Sequence, residues 1–395
     1  MRNLVAILLL ALGLFSCCTS TKDVAEVCSE TLVVPKQLAV TPVTRSSLIG
    51  SFSIIHPDKD IVIGNVSKIV LADSLLCILD RKAMMVNVLD MSGRRVYTIS
   101  SKGHGYREYG DLSDFFVDKH AHTLNIVSRY DKKLLTYDLH CGKLKSVRKL
   151  PKMFSAMQKT PTGYMGYMAN YTEDKTHPYN FWILNDSLKT QAGNVKISPM
   201  MESRYNSDRP AFSEYCGVSY GVCQRDFNVY KFYNQHYTCM YHMDFDGLQL
   251  PDDFEEGQND RETEMKTLMT HISDIERFQE TKRYVFCLIN FQGQRLLVAY
   301  DKQTEKISKY ELDACHSAVY PLTFGNVVGS DENHIISIVD ALDVERLCKG
   351  KDQNNDYEKK YPKQIRNLRS LVNYPFNNNN PFVIVYTINN MDQLQ

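Results

Sequence analysis

A short unit that repeats along most of the chain constrains its fold more than any other feature. In each copy an alternating apolar run ends in Asp or Asn, a turn follows, and a more polar strand resumes. The copies are Met85-Val-Asn-Val-Leu-Asp90, Leu134-Leu-Thr-Tyr-Asp138, Phe181-Trp-Ile-Leu-Asn185, Met240-Tyr-His-Met-Asp244 and Leu296-Leu-Val-Ala-Tyr-Asp301. Their turn positions, 90, 138, 185, 244 and 301, are spaced by 48, 47, 59 and 57 residues. Asp, Asn and Gly suit such turns because they tolerate positive φ or cap the turn with a side chain. Two further strand-like runs precede each copy, as 67–71 and 75–79 precede the first. Four short strands in about 50 residues is the period of a propeller blade. Helical spacing is absent from these units.

A sixth unit starts near Val319 and is interrupted by a charged loop, 349–360, and an exposed helix, 361–372. It resumes at Pro381-Phe-Val-Ile-Val-Tyr-Thr-Ile388, and no fourth strand follows. Ser51-Phe-Ser-Ile-Ile55 is the strand available to complete it, which would close the ring and remove its open edges. The expected fold is all-β: a six-bladed β-propeller over 48–390, with two small helical insertions, near 252–270 and 361–372. Strands from both chain ends close its last blade.

The first residues are laid out as an export signal. Arg2 is followed by an apolar run, 4–15, broken only by Gly13. A membrane-spanning helix needs about 20 apolar residues, so the run is too short to cross a bilayer. Leu14-Phe15-Ser16-Cys17 resembles the lipobox of bacterial lipoproteins. That resemblance implies a signal peptide over 1–16, lipidation at Cys17 and a polar lipidated tether over 17–47. The implied address is the cell envelope, anchored by lipid to the outer membrane on its periplasmic or surface face.

Composition narrows the partners. The 46 basic and 46 acidic residues leave no net charge. That argues against nucleic acid, which selects a basic surplus. The 11 cysteines show no paired metal-ligand spacing. Cys77, Cys239 and Cys287 lie in apolar strand-like runs and read as buried free thiols. Cys216 and Cys223 are close enough in sequence to pair in an oxidising compartment.

The chain also resembles the six-bladed β-propeller lipoproteins of gut-dwelling anaerobic bacteria. The resemblance rests on Ile63-Gly64-Asn-Val-Ser-Lys-Ile69, Leu79-Asp80 with Val88-Leu-Asp90, Gly103-His-Gly-Tyr-Arg-Glu-Tyr109, and Asn380-Pro381-Phe-Val-Ile-Val-Tyr386. Tyr106 and Arg107 stand where that family's loop usually has Pro and Gly. The resemblance covers about residues 48–390 and implies the propeller fold, with a role in glycan uptake or surface binding.

Catalytic signals are weak. Gly217-Val-Ser219-Tyr-Gly221 has the spacing of a nucleophile elbow, but strands rather than a helix follow it, against that motif's requirement. His120 and His122 flank Ala121 and read as a solvated turn rather than a metal pair, because no third ligand lies nearby in sequence. His104, His177, His236 and His316 would be the candidate ligands of a metal-dependent propeller hydrolase or lyase. No catalytic residue, metal or cofactor is assigned.

Blade geometry locates a site better than motifs do. Turns between the second and third strands of each blade share one face with the links between blades. Those turns read as Asp80-Arg81-Lys82, Ser128-Arg129-Tyr130-Asp131, Asn170-Tyr171, Tyr233-Asn234-Gln235, Asn290-Phe291-Gln292 and Asp340. One link adds His104, Arg107, Glu108 and Tyr109. The expected binding set is therefore Arg81, His104, Arg107, Glu108, Tyr109, Arg129, Tyr130, Tyr171, Tyr233, Asn234, Asn290 and Phe291. Its aromatic faces and polar groups suit a glycan, a peptide or an envelope protein.

Overall fold

A computed structural model describes residues 28–42, 48–197, 201, 211–233, 236–251, 254, 260–312, 326–352, 355–360 and 362–390. Within them the chain forms six antiparallel sheets arranged as a six-bladed β-propeller. Blade 1 contains Val66–Ala72, Leu75–Asp80, Met85–Asp90 and Arg95–Ile99. Blade 2 contains Asp114–Asp118, Thr123–Ser128, Lys133–Asp138 and Leu144–Lys149, and blade 3 Ala156–Thr160, Gly163–Tyr167, Tyr179–Leu184 and Thr190–Lys196. Blade 4 contains Phe212–Tyr215, Val218–Val222, Asn228–Tyr233 and His236–Asp244, and blade 5 Arg277–Glu280, Tyr284–Phe291, Gln294–Asp301 and Lys306–Glu311. The first strand of each blade lies innermost, neighbouring the first strands of adjacent blades.

The alternating pattern explains the assembly. Each middle strand is apolar on both faces, because a blade is covered on both sides by its neighbours. Six apolar clusters result, one in each seam between successive blades. Cys77, Leu79, Val86 and Val88 of blade 1, for example, pack on Phe115, Leu124, Ile126 and Leu135 of blade 2.

The ring closes as the sequence predicts. Phe382–Ile388, the third strand of blade 6, pairs antiparallel with Ile49–Ile55, aligning Val383 with Ile55 and Tyr386 with Phe52. Asn326–Ser330 and His334–Val339 supply that blade's inner strands.

Part of the expected tether, 17–47, belongs to the folded body. Glu30–Val33 adds a fifth, parallel strand to the outer edge of blade 4, and Val40–Pro42 does the same for blade 5. The chain then enters blade 6 as its closing strand, so one strap crosses three blades in succession. A disulfide between Cys28 and Cys239 fixes its start. Cys239 is thus cross-linked, not the free thiol expected. Cys77 and Cys287 are free and buried, as expected. Cys216 and Cys223 are free and do not pair. They occupy opposite ends of Val218–Val222, a strand about 17 Å long, which is beyond disulfide reach.

Two helical insertions interrupt the blades, both on the face that carries the links. Helix α1 (Arg261–Thr270) lies between blades 4 and 5, capped by Asp260, and buries no side chain. The connection between the second and third strands of blade 6 carries α2 (Ala341–Lys349) and α3 (Pro362–Leu371). Helix α3 is not the exposed helix the sequence suggests, since Ile365 and Leu368 are buried, and α2 is an additional helix beside it. The Asp340 cap of α2 accepts from the Leu342 amide at 2.8 Å, and Gly350 ends that helix at φ +67°. Val344, Cys348 and Leu368 then extend the apolar seam between blades 5 and 6.

Replacing both Cys28 and Cys239 with Ser should lower stability by about 2–4 kcal/mol, since the bridge closes a long loop. Urea denaturation should show a lower midpoint for the double variant, and a comparable drop when the wild-type protein is reduced. Unchanged midpoints in both cases would show that strand pairing alone holds the strap.

Candidate functional site

The rim of second-to-third turns and inter-blade links is organised by carboxylates. Asp80, 1% exposed, accepts from the Gly64 and Asn65 amides of the preceding link at 2.8 and 3.2 Å, and from Ala83 in its own turn at 2.8 Å. Asp111 repeats this on blade 2, accepting from Ser128 Oγ at 2.8 Å, the Arg129 amide at 3.0 Å and the Tyr130 amide at 2.9 Å. Asp131 accepts from the Gly110 amide at 2.7 Å. Partial burial works against its charge, but that amide, Lys133 and His104 outweigh it and hold the carboxyl below its usual range. Links and turns of blades 1 and 2 are thereby tied to one another.

The link over 100–113 is folded on itself. The Glu108 carboxylate accepts from the Gly105 amide at 2.9 Å, and Lys133 Nζ donates to the Gly105 and Glu108 carbonyls at 2.9 and 3.0 Å. Gly103 has φ +148°, and a Cβ there would collide with Glu108 Oε2. Glu108 therefore shapes the loop. Tyr109 is fully buried in the seam between blades 1 and 2, its hydroxyl donating to the Met84 carbonyl at 3.0 Å. It anchors the link and offers no binding surface, contrary to expectation. His104 is 87% exposed, 3.8 Å from Asp131, and Arg107 is exposed.

An aromatic group on this rim joins blades 2 and 3. Arg129, 3% exposed, places its guanidinium 4.5 Å from the Tyr171 ring centre and 5.5 Å from that of Tyr130. Tyr130 is 69% exposed and Tyr171 half-buried. Beside them, Asn170 and Asn180 bond reciprocally: Asn170 N donates to Asn180 Oδ1 and Asn180 Nδ2 to Asn170 Oδ1, both at 2.8 Å. Arg81 lies at the equivalent turn of blade 1. On blade 5, Asn290 donates to Glu276, while Phe291 packs partly into the seam.

Blade 4 corrects the expectation. Its second-to-third turn is 223–227, not 233–235. Tyr233 ends the third strand and faces the opposite rim, where it pairs with His236 across the next hairpin. Asn234 lies outside the described residues. The error has a physical source: Asp244-Phe-Asp-Gly247 imitates the turn of the other blades but follows the fourth strand. The residue missed is Arg225, whose Nη1 donates to the Phe254 carbonyl at 2.8 Å. Its place soon after an apolar strand, like that of Arg81 and Arg129, was the available signal.

The axis is lined by polar side chains of the first strands. Lys68 pairs with Asp114 at 2.9 Å, Gln158 donates to Glu214 at 3.1 Å, and Gln279 to the Glu214 carbonyl at 2.8 Å. Burial pushes the Glu214 carboxyl up, against the pull of Lys119 and Gln158. The expected axial histidines do not gather. His104 is on a link and His177, bonded to Asp174, is in the blade 3 turn, whereas His236 is on the opposite rim. His316 lies outside the described residues. Ser219 is 2% exposed in mid-strand, paired with Glu214 and Phe232, so no nucleophile elbow forms.

The fold and this rim define a class: a six-bladed propeller closed by its N-terminal strand, with a rigid polar and aromatic loop surface. The chain belongs to a family defined by DUF4934, a domain of unknown function, whose model matches residues 58–387. No curated protein matches it. Among solved structures it is similar to a Bacteroides fragilis protein classed as exported, at 17% identity and a TM-score of 0.69, covering 91% of this chain and 99% of that one. It also superposes, at 6% identity and a TM-score of 0.47, on a DUF4221-family member from Bacteroides vulgatus, over 86% of this chain and 97% of the other.

Replacing Asp111 with Ala leaves three donors without their acceptor and should destabilise by roughly 1–3 kcal/mol. Amide exchange should speed up over 103–113 and 128–131 before the blade cores respond. Protection lost uniformly across the chain would contradict a local role.

Proposed function

We propose that this protein is an exported, lipid-anchored recognition propeller that binds a glycan on the link-bearing rim, without catalysis. The observation that carries the proposal is the Arg129 stack. A buried guanidinium holds Tyr171 while Tyr130 stands 69% exposed beside it. Aromatic rings already fixed lose little freedom on binding, and their faces suit the C–H surface of a sugar ring. Buried Asn170 and Arg129 hold the turn beneath these rings and do not reach the ligand themselves. The clamped links keep this surface preformed. The signal-like residues 1–16, the Cys28–Cys239 disulfide and the likeness to a protein classed as exported support the address.

A glycan array followed by calorimetry on the purified protein tests the binding. Tyr130→Ala should weaken the best glycan by about 3–10-fold, the equivalent of ~0.5–1.5 kcal/mol. Tyr233→Ala, on the far rim, should leave it unchanged. Absence of glycan binding, with capture of a peptide or an envelope protein instead, would overturn the glycan reading.

The anchor is tested separately by replacing Cys17 with Ser. The variant should lose fatty-acid labelling and leave the membrane fraction; retained labelling would exclude Cys17 as the lipidated residue.

A further inference from the structure

The rim opposite the proposed glycan surface carries a cluster that no sequence motif announces. Asp73 comes from the turn between the first two strands of blade 1. His122 comes from the equivalent turn of blade 2, and His140 from that blade's third-to-fourth turn. His122 Nδ1 is 2.6 Å from Asp73 Oδ2, and His140 Nε2 is 3.5 Å from the same oxygen. The two imidazoles are 5.4 Å apart, and one donor atom from each of the three residues falls within 4.8 Å of the others.

The backbone holds these donors in place. Asp118 Oδ1 accepts from the His120 and Ala121 amides at 3.1 and 3.0 Å, shaping the turn that presents His122. Asp138 Oδ1 does the same for the His140 and Cys141 amides at 3.0 and 3.1 Å. The Leu139 amide donates to the His122 carbonyl at 3.0 Å, joining the two turns. Asp73 and His122 both sit at positive φ, 50° and 47°, a region that Asp and His enter more readily than most residues.

We propose that Asp73, His122 and His140 form a three-ligand site for a first-row divalent cation, with Zn2+ as the reference ion. Two imidazole nitrogens and one carboxylate oxygen are the donors such ions take, whereas Ca2+ and Mg2+ prefer oxygen alone. Ligands about 2.0–2.1 Å from a tetrahedral zinc stand roughly 3.3 Å apart, close to the His140–Asp73 distance. The shorter His122–Asp73 contact is a hydrogen bond. The entering ion takes the place of the proton on Nδ1, the neutral ring carries its N–H on Nε2 instead, and the two atoms separate by about 0.7 Å. All three side chains are partly open to solvent, so the remaining coordination position faces water or an external ligand. The site is remote from the Arg129 stack and does not depend on the glycan reading.

The test is zinc competition against a chromophoric chelator, using tag-free purified protein. One equivalent of Zn2+ should bind, undisturbed by millimolar Ca2+ or Mg2+. His122→Gln, His140→Gln and Asp73→Asn should each weaken it by at least 10-fold, the size of effect seen even for supporting residues around zinc. His120→Gln, in the same turn but outside the cluster, should not. Thermal melts without metal should overlay for all four variants, because every substitution is in an exposed turn. Failure to bind stoichiometric zinc, or zinc binding unaltered by the three ligand substitutions, would overturn the proposal.

Discussion

Everything in this molecule depends on apolar sheet faces that have nowhere to go except against one another. A single blade is too small and too apolar on both sides to stand in water alone. Six such sheets bury their faces only if each finds two neighbours, which a closed ring alone provides. The six seams are the result, and the middle strands lose nearly all exposure in consequence. Closure is set by pairing between Ile49–Ile55 and Phe382–Ile388, strands more than 300 residues apart in the chain. The polar rims and axis are what remains once that burial is satisfied.

The two rims then differ in construction. On the link-bearing side, Asp80 and Asp111 bind links to turns in blades 1 and 2, beside the aromatic side chains of Tyr130 and Tyr171. The opposite side is made of separate tight hairpins. Side chains there meet where hairpins come side by side, as with Asp73 of blade 1 and His122 of blade 2.

Local pattern carried most of the fold. Alternation ending in Asp or Asn marked the hairpins of four blades correctly, because those residues are chosen for turn geometry alone. It misled in blade 4, where Asp244 and Gly247 make a similar turn one strand later. Helix α2 carries its own signals, the Asp340 cap and Gly350, but Asp340 reads equally as a turn residue and 349–360 as a charged loop. Tyr109 looked like a site residue among polar neighbours, yet nothing local says whether a tyrosine points in or out. The parallel strands at 30–33 and 40–42 were hidden for a different reason: their pairing partners are about 210 to 270 residues away. The same holds for Cys28 with Cys239, and for the Asp73 carboxylate that turns His122 and His140 into a cluster.

The strap has a mechanical consequence. Tension applied to the chain before Cys28 crosses the disulfide directly into Cys239, bypassing all that lies between them in sequence. The load enters at the perimeter of blade 4, before it can reach the closing strand at Ile49–Ile55. A pull that would otherwise meet the closing blade first is taken up instead at the flank.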